Sequence, residues 1–282
     1  MSELIDVTRA ELFKLVRRPA AWTLLAASLV LNQVFGYLIP YLSYRSGSGP
    51  APSASPSDQL AATLPDQVVG STIGGFPVFA GALALVLGAL VFGGEYGWGT
   101  VKTVLTQRPG RLTALAGQAV ALLLAVLAGV LAMFALSALS SSAIALAEER
   151  ALDWPDPAAL LAGIGAGLLI LLVWALLGAA LGVVLRGVAL PIGLGVVWVL
   201  GVENLLSAMA STVLTELQPL RDVLPGANAG SLAAAVMPDR PIPAPPGVTT
   251  SVGDTRALVT LVCYLLVCAA VAAWTVRRRD VV

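Results

Sequence analysis

The chain has 282 residues, 58% of them hydrophobic and 11% charged, with sixteen basic residues balanced by sixteen acidic ones. Soluble domains carry roughly 25% charged residues, so the composition excludes an ordinary water-soluble fold and predicts an all-α integral membrane protein. Zero net charge and the absence of histidine give no support to nucleic-acid attraction or to histidine-based metal binding and catalysis.

The first element, residues 1–19, runs into the first span through "TRAELFKLVRRPAAW" at residues 8–22. Thr8 with Glu11 three residues on reads as a capping box. Leu12, Leu15 and Val16 fall on one side, with Lys14, Arg17 and Arg18 elsewhere, as in a helix lying in the inner membrane interface. Pro19 marks the turn into the bilayer.

A helix needs about 20 apolar residues to cross the hydrocarbon. Six segments qualify, at 20–42, 68–93, 112–147, 157–185, 189–210 and 256–276. The first is too long, and lacks a convincing small-residue cleavage site, to read as a cleaved signal peptide. The third would run ~54 Å, so it must tilt or project. With a cytoplasmic N-terminus, eleven of the sixteen basic residues fall inside, including Arg17-Arg18 and Arg277-Arg278-Arg279. Both termini then share the cytoplasmic side of the plasma membrane.

The connections differ in character. Residues 43–66 are rich in Ser, Pro and Gly and read as a flexible external loop with no site. Residues 95–108 read as a short inner-side helix: Glu95 suits its first turn, Arg108 its last, and Trp98, Val101 and Leu105 form one stripe. That stripe needs a partner, and headgroups, the adjacent spans or a second protein would all serve. Arg186-Gly187 is a tight inner turn. Residues 211–255 form a partly helical external loop, in which Val213, Leu214, Leu217, Leu220, Val223 and Leu224 predict an amphipathic helix ahead of a proline-rich tail.

Within the spans, Glu203 stands out, because an ionised carboxylate there costs ~2–3 kcal/mol on insertion scales. One reading makes Glu203, with Asn204 beside it, a gate or substrate contact at the outer end of a path. The other gives it a structural hydrogen bond to Asn204, Ser207 or a neighbouring helix. The pairs Gly70/Gly74, Gly163/Gly167 and Gly178/Gly182 read as close-packing positions. Trp22, Trp154 and Trp274 read as interfacial anchors, and Cys263 and Cys268 as packing residues.

The run Glu95, Gly99-Thr100, Leu105, Pro109 and Arg111 resembles the "E…GT…L…P…R" pattern that follows the second span in permease subunits of the type-2 ABC transporter family. Six spans, the amphipathic N-terminal helix, "ENLL" at 203–206 and "LPGANAGSL" at 224–232 extend the resemblance over essentially the whole chain. It implies an ATP-driven exporter in which residues 95–108 are the coupling helix, docked on a separate ATPase subunit through Glu95, Trp98, Thr100, Val101, Leu105, Arg108 and Arg111. ATP and Mg would then reside on that partner, and a second permease copy or a paralogue would complete the path. No G-x-x-x-x-G-K-[ST] run occurs in the chain, which fits this division of labour. The cargo expected for an apolar path is an amphipathic or hydrophobic molecule. An ion-driven secondary transporter and a non-transporting membrane scaffold are the competing readings; the first would want midplane carboxylates or inverted repeats, of which the sequence offers little beyond Glu203.

Overall fold

The computed structural model describes residues 2–47, 55–97, 110–212 and 215–278, which are helical with no strand among them. Helix α1 (Ser2–Arg17) is followed, after Arg18, by six helical runs long and apolar enough to cross a membrane: Pro19–Ser46, Pro65–Tyr96, Arg111–Ala147, Pro157–Leu185, Ala189–Ala210 and Asp254–Arg278. Six runs place α1, the end of the second span, the start of the third, the Arg186-Gly187 turn and the last helix's end on one face, the terminal face. Thr8 lies well inside α1 and its hydroxyl donates to the Leu4 carbonyl at 2.8 Å. The expected capping box therefore does not form; the helix starts earlier than Thr8.

Three spans are interrupted. The first runs as α2 (Pro19–Gln33), a π-helical segment Val34–Leu38 and α3 (Ile39–Ser46). Pro40 accounts for that widening, since its ring would collide with the Gly36 carbonyl in a regular α-helix. After helix α4 (Pro56–Ala61), the second span comprises α5 (Val68–Ile73), a turn at Gly74-Gly75, a π segment Phe76–Ala80 and α6 (Gly81–Gly97). Pro77 supplies the same disruption. The third and fourth spans are continuous, α7 (Arg111–Ala147) and α8 (Pro157–Leu185). The fifth joins α9 (Ala189–Val197) to α10 (Glu203–Thr212) through a π segment Trp198–Val202.

The core lies between the second and fourth spans, whose apolar windows are mostly buried, whereas the first, fifth and sixth spans face outward along most of their length. Glycine brings the central pair together: a Cβ on Gly88 would strike the Ala175 carbonyl, and one on Gly178 the Leu85 carbonyl. Trp174, Leu85, Ile170 and Val183 fill the remaining space and are fully buried. Without a hydrophobic drive between helices in lipid, this backbone approach provides the dispersion contact that holds the pair.

The long connections are more ordered than their composition predicts. Ser55 caps α4 in a reciprocal capping box with Asp58, and Gln59, Leu60, Ala62 and Thr63 are buried. The second half of the 43–66 loop is thus packed rather than flexible. In the 211–255 loop the expected amphipathic helix shrinks, among the described residues, to a 3-10 turn Thr215–Leu217 and α11 (Gln218–Arg221), with Leu220 and Val223 exposed. The main element is instead α12 (Pro225–Val236), in the stretch read as the start of the proline-rich tail. Its residues Ala227–Ala233 are buried against the fourth span, the second span's π segment and α13 (Asp254–Arg278). Its small residues, unfavourable as an amphipathic signal, are what allow this insertion.

The Gly178→Ala variant should lose roughly 2–3 kcal/mol of stability by overpacking against backbone, whereas Gly165→Ala, whose Cβ meets nothing within 4 Å, should be neutral or slightly stabilising. Thermal unfolding of the detergent-solubilised chain separates the two.

Candidate functional site

On the terminal face, α1 is clamped to the end of the second span. The Lys14 ammonium donates to Glu11 Oε1 at 2.8 Å and to Glu95 Oε1 at 3.0 Å. Both carboxylate residues are buried, and Lys14 is half-buried above them. Burial alone would lower the Lys14 pKa, but hydrogen bonds to Glu11 and Glu95 and their negative charges outweigh it and raise it. One turn on, an Arg18 Nη donates to the Leu90 carbonyl at 3.1 Å and its guanidinium lies over Gly94. Leu15 is buried beside this polar pair, and Val7 packs into the space left by Gly117 of α7. Arg17 stands outside the cluster, with its guanidinium 5.1 Å from the Phe13 ring centroid, and Phe13, Val16 and Ile5 are exposed.

Glu95 therefore occupies the last turn of α6 and not the first turn of a new helix. A carboxylate at a helix C-terminus is opposed by the dipole, and the Lys14 cation offsets that cost. The other residues of the expected coupling helix, Trp98, Thr100, Val101, Leu105 and Arg108, lie outside the described residues. Arg111 opens α7, following the Gly110 N-cap.

On the opposite face, Glu203 is buried and its Oε1 accepts the Gly226 backbone N–H at 2.7 Å. Gly226 is the second residue of α12, so the carboxylate satisfies one of the free N–H groups at that helix start and sits at its positive end. A Cβ at Gly226 would come within 2.7 Å of the Glu203 carboxylate, which makes glycine the residue that fits. The carboxylate thus makes a hydrogen bond to a neighbouring helix, α12. Asn204 turns the other way and donates to the Val199 and Leu200 carbonyls, at 2.8 and 3.3 Å, within the π segment. Both residues border a cavity of about 280 Å³ that also touches Ser207, Arg221 and Thr249. Arg221 is paired with Asp222 at 2.8 Å.

Two contacts have no counterpart in the sequence reading. Glu148, just past α7, accepts from the Tyr41 and Tyr44 hydroxyls at 2.7 and 2.9 Å and lies 3.5 Å from Arg45, tying the first span's end to the third's. Those hydrogen bonds, Tyr41's first, hold its carboxyl below the usual range against partial desolvation. Asn32, inside the first span, donates to the Thr72 carbonyl at 2.9 Å and accepts from Ser137 at 3.0 Å. The adjacent amides Asn32 and Gln33 within an apolar run were a legible signal; nothing in the sequence pairs Glu148 with two tyrosines more than a hundred residues away.

Lys14 holds two carboxylates at one point but is itself half-buried, so Lys14→Met should destabilise by about 2 kcal/mol, between the exposed and the buried case, while Glu95→Gln, which leaves Lys14 on Glu11, should cost about 1 kcal/mol; thermal unfolding in detergent measures both. A depressed Glu148 pKa adds stability that is complete above the unfolded carboxyl value, near ~4.3, and is lost as pH falls through the folded one. The wild-type melting temperature should therefore fall more steeply below about pH 4.3 than that of a Tyr41→Phe/Tyr44→Phe double variant.

No curated protein matches the chain at a significant level. The family model for ABC-2 family transporter protein matches residues 5–281, nearly the whole length. That match agrees with the six apolar spans. The chain belongs to the ABC-2 transporter family, as a membrane-spanning permease subunit of an ABC transporter.

Proposed function

We propose that this permease works as the membrane half of an ATP-driven exporter in the plasma membrane, with both termini cytoplasmic. Two copies, or one copy and a paralogue, enclose the path for an amphipathic or hydrophobic cargo. ATP and Mg are held by a separate ABC ATPase subunit, and this chain carries no nucleotide or cofactor of its own. The terminal face is the cytoplasmic one, in keeping with its excess of lysine and arginine.

Residues 95–108 are the lever. The observation that carries this reading is the Lys14 clamp, because it joins α1 to the last turn of α6, where the chain enters the proposed coupling helix. A push delivered there by ATPase closure moves α1 and α6 together instead of bending one past the other. Glu95 and Lys14 transmit it, with Arg18 on the Leu90 carbonyl as a second tie. Trp98, Val101 and Leu105 supply the apolar contact on the ATPase, and Thr100, Arg108 and Arg111 its polar rim. Arg17 keeps the exposed side of α1 at the headgroups, where Phe13, Val16 and Ile5 meet lipid. At the far end of the path, Glu203 latches α10 to α12 and gates by releasing it, while Asn204 keeps the π segment intact.

The wild-type permease should co-purify with its ATPase and stimulate ATP hydrolysis. Glu95→Ala, Trp98→Ala and a glycine inserted after Thr100 should each lower that stimulation roughly tenfold, within the 1–3 kcal/mol range of site-to-site coupling, with membrane insertion unchanged. Full stimulation in all three variants would overturn the assignment.

A further inference from the structure

Arg240 lies in the proline-rich stretch before α13, and its Nε and Nη1 atoms are buried with no hydrogen-bond acceptor among the described residues. It forms none of the ion pairs found there, which join Lys14, Arg45 and Arg221 to carboxylates. Its side chain packs against Gly70 at the start of the second span, and its charge is felt by Tyr37. Burial lowers its pKa, countered by Tyr37, yet a guanidinium keeps its proton at any physiological pH. Arg240 as a whole is half-buried, and a charge whose donors are buried is ordinarily paired, because desolvation without a partner is costly.

The guanidinium borders a cavity of about 100 Å³ between the π segments of the first two spans, walled by Asn32, Phe35, Phe76, Phe79 and Pro245. The Phe35 and Phe79 rings stack at 5.4 Å on one side. Ser28, Ala80 and Met133 line this cavity and also a second one of about 280 Å³, so the two adjoin. The second is apolar and runs between the first, second and third spans to Leu12, Leu15 and Trp22 at the terminal face. From Phe35 to Trp22 the first span rises about 20 Å, more than one leaflet's share of a ~30 Å hydrocarbon core. The groove therefore has one cationic end near the face opposite the termini and an apolar length suited to a chain.

We propose that Arg240 and this groove form a binding site for one anionic amphiphile, with a phosphate or carboxylate on the guanidinium and a single acyl chain between the first three spans. The site deepens the exporter reading by giving its cargo a class, and rests on that reading only in treating the occupant as cargo. Asn32 holds the groove's shape from the wall, through the Thr72 carbonyl and Ser137. An anionic phospholipid that seats one of its two chains and a free fatty acid share the required chemistry.

The test uses the full chain in phosphatidylcholine nanodiscs without the ATPase, so that its outcome is independent of coupling. A fluorescent polyene fatty acid should bind, and the fatty alcohol of the same length should bind at least tenfold more weakly. Arg240→Gln should abolish that preference and Arg240→Lys should retain part of it. Ala128→Phe, which fills the apolar arm, should weaken acid and alcohol alike. Melting temperatures verify that each variant is folded, and Arg240→Gln, which removes an unpaired charge, should be no less stable than wild type without ligand. Replacing a third of the lipid with phosphatidylglycerol then separates the sources: displacement of the acid identifies a resident phospholipid, and an unchanged Kd identifies a free amphiphile as the occupant. Equal binding of acid and alcohol by the wild type, or an undiminished preference in Arg240→Gln, would overturn the proposal.

Discussion

Backbone hydrogen bonding in an apolar slab is the constraint on which the rest of this structure depends. Lipid offers no donor or acceptor, so every carbonyl or N–H released by a break in a spanning helix must find a protein partner. Three of the six spans contain such breaks, and polar side chains within the spans stand beside them. Asn32 takes up carbonyls where the second span turns at Gly74-Gly75. Asn204 takes up those of the fifth span's π segment, and Glu203 the N–H at the start of α12. An amide or carboxylate that would be costly in an intact apolar helix becomes favourable once a broken neighbour supplies its partner.

The breaks also divide the molecule mechanically. The third and fourth spans are continuous, and α8 is locked to α6 through backbone contact at Gly88 and Gly178. Backbone against backbone has no side chain to rearrange, so this pair moves as one body. The first and fifth spans lie outside it, each with a π segment that can absorb a change of register. Both cavities bordered by polar groups lie at these segments: Phe35 and Phe79 line one, Pro77 and Val199 the other. Stiff and adaptable elements thus meet where a ligand has room.

The spanning helices were legible because hydrophobic length is a one-body property: each apolar run announces itself without reference to any other. Two of the three glycine pairs do lie against another span, Gly163 and Gly167 against Val69 and Phe76 and Gly178 and Gly182 against the second span, whereas Gly70 and Gly74 meet Met237, Arg240 and Pro245 of the long connection. The site was less legible because its residues act in pairs. Lys14 looked like one of several cations on a helix flank, and Glu95 like an N-terminal carboxylate, until packing set them 3.0 Å apart. Glu203 was conspicuous, but its partner is a backbone N–H in a segment of glycine and alanine that carries no periodic signal. Arg240 sat among prolines, where composition says loop and says nothing of burial. Thr8 failed in the opposite sense: a correct local pattern was overridden because the helix continues six residues further toward the N-terminus.

The second span connects both faces. Its α6 segment carries Glu95 at one end, held by Lys14, and begins at Gly81 directly after the π segment, a rise of roughly 20 Å. That π segment contacts the Arg240 cavity through Phe76 and Phe79 and the Glu203 cavity through Pro77 and Val78. Because α6 packs on α8 along its length, from Gly81 against Trp174 to Gly93 beside Gly182, the proposed push at Glu95 would pass along α6 to the Gly74–Ala80 break. There the chain has what rigid packing denies it elsewhere: a turn, a proline and widened hydrogen bonding. The two cavities share a wall with this same five-residue segment, Phe76–Ala80, so the proposed movement at the terminal face would bear on both of them at once.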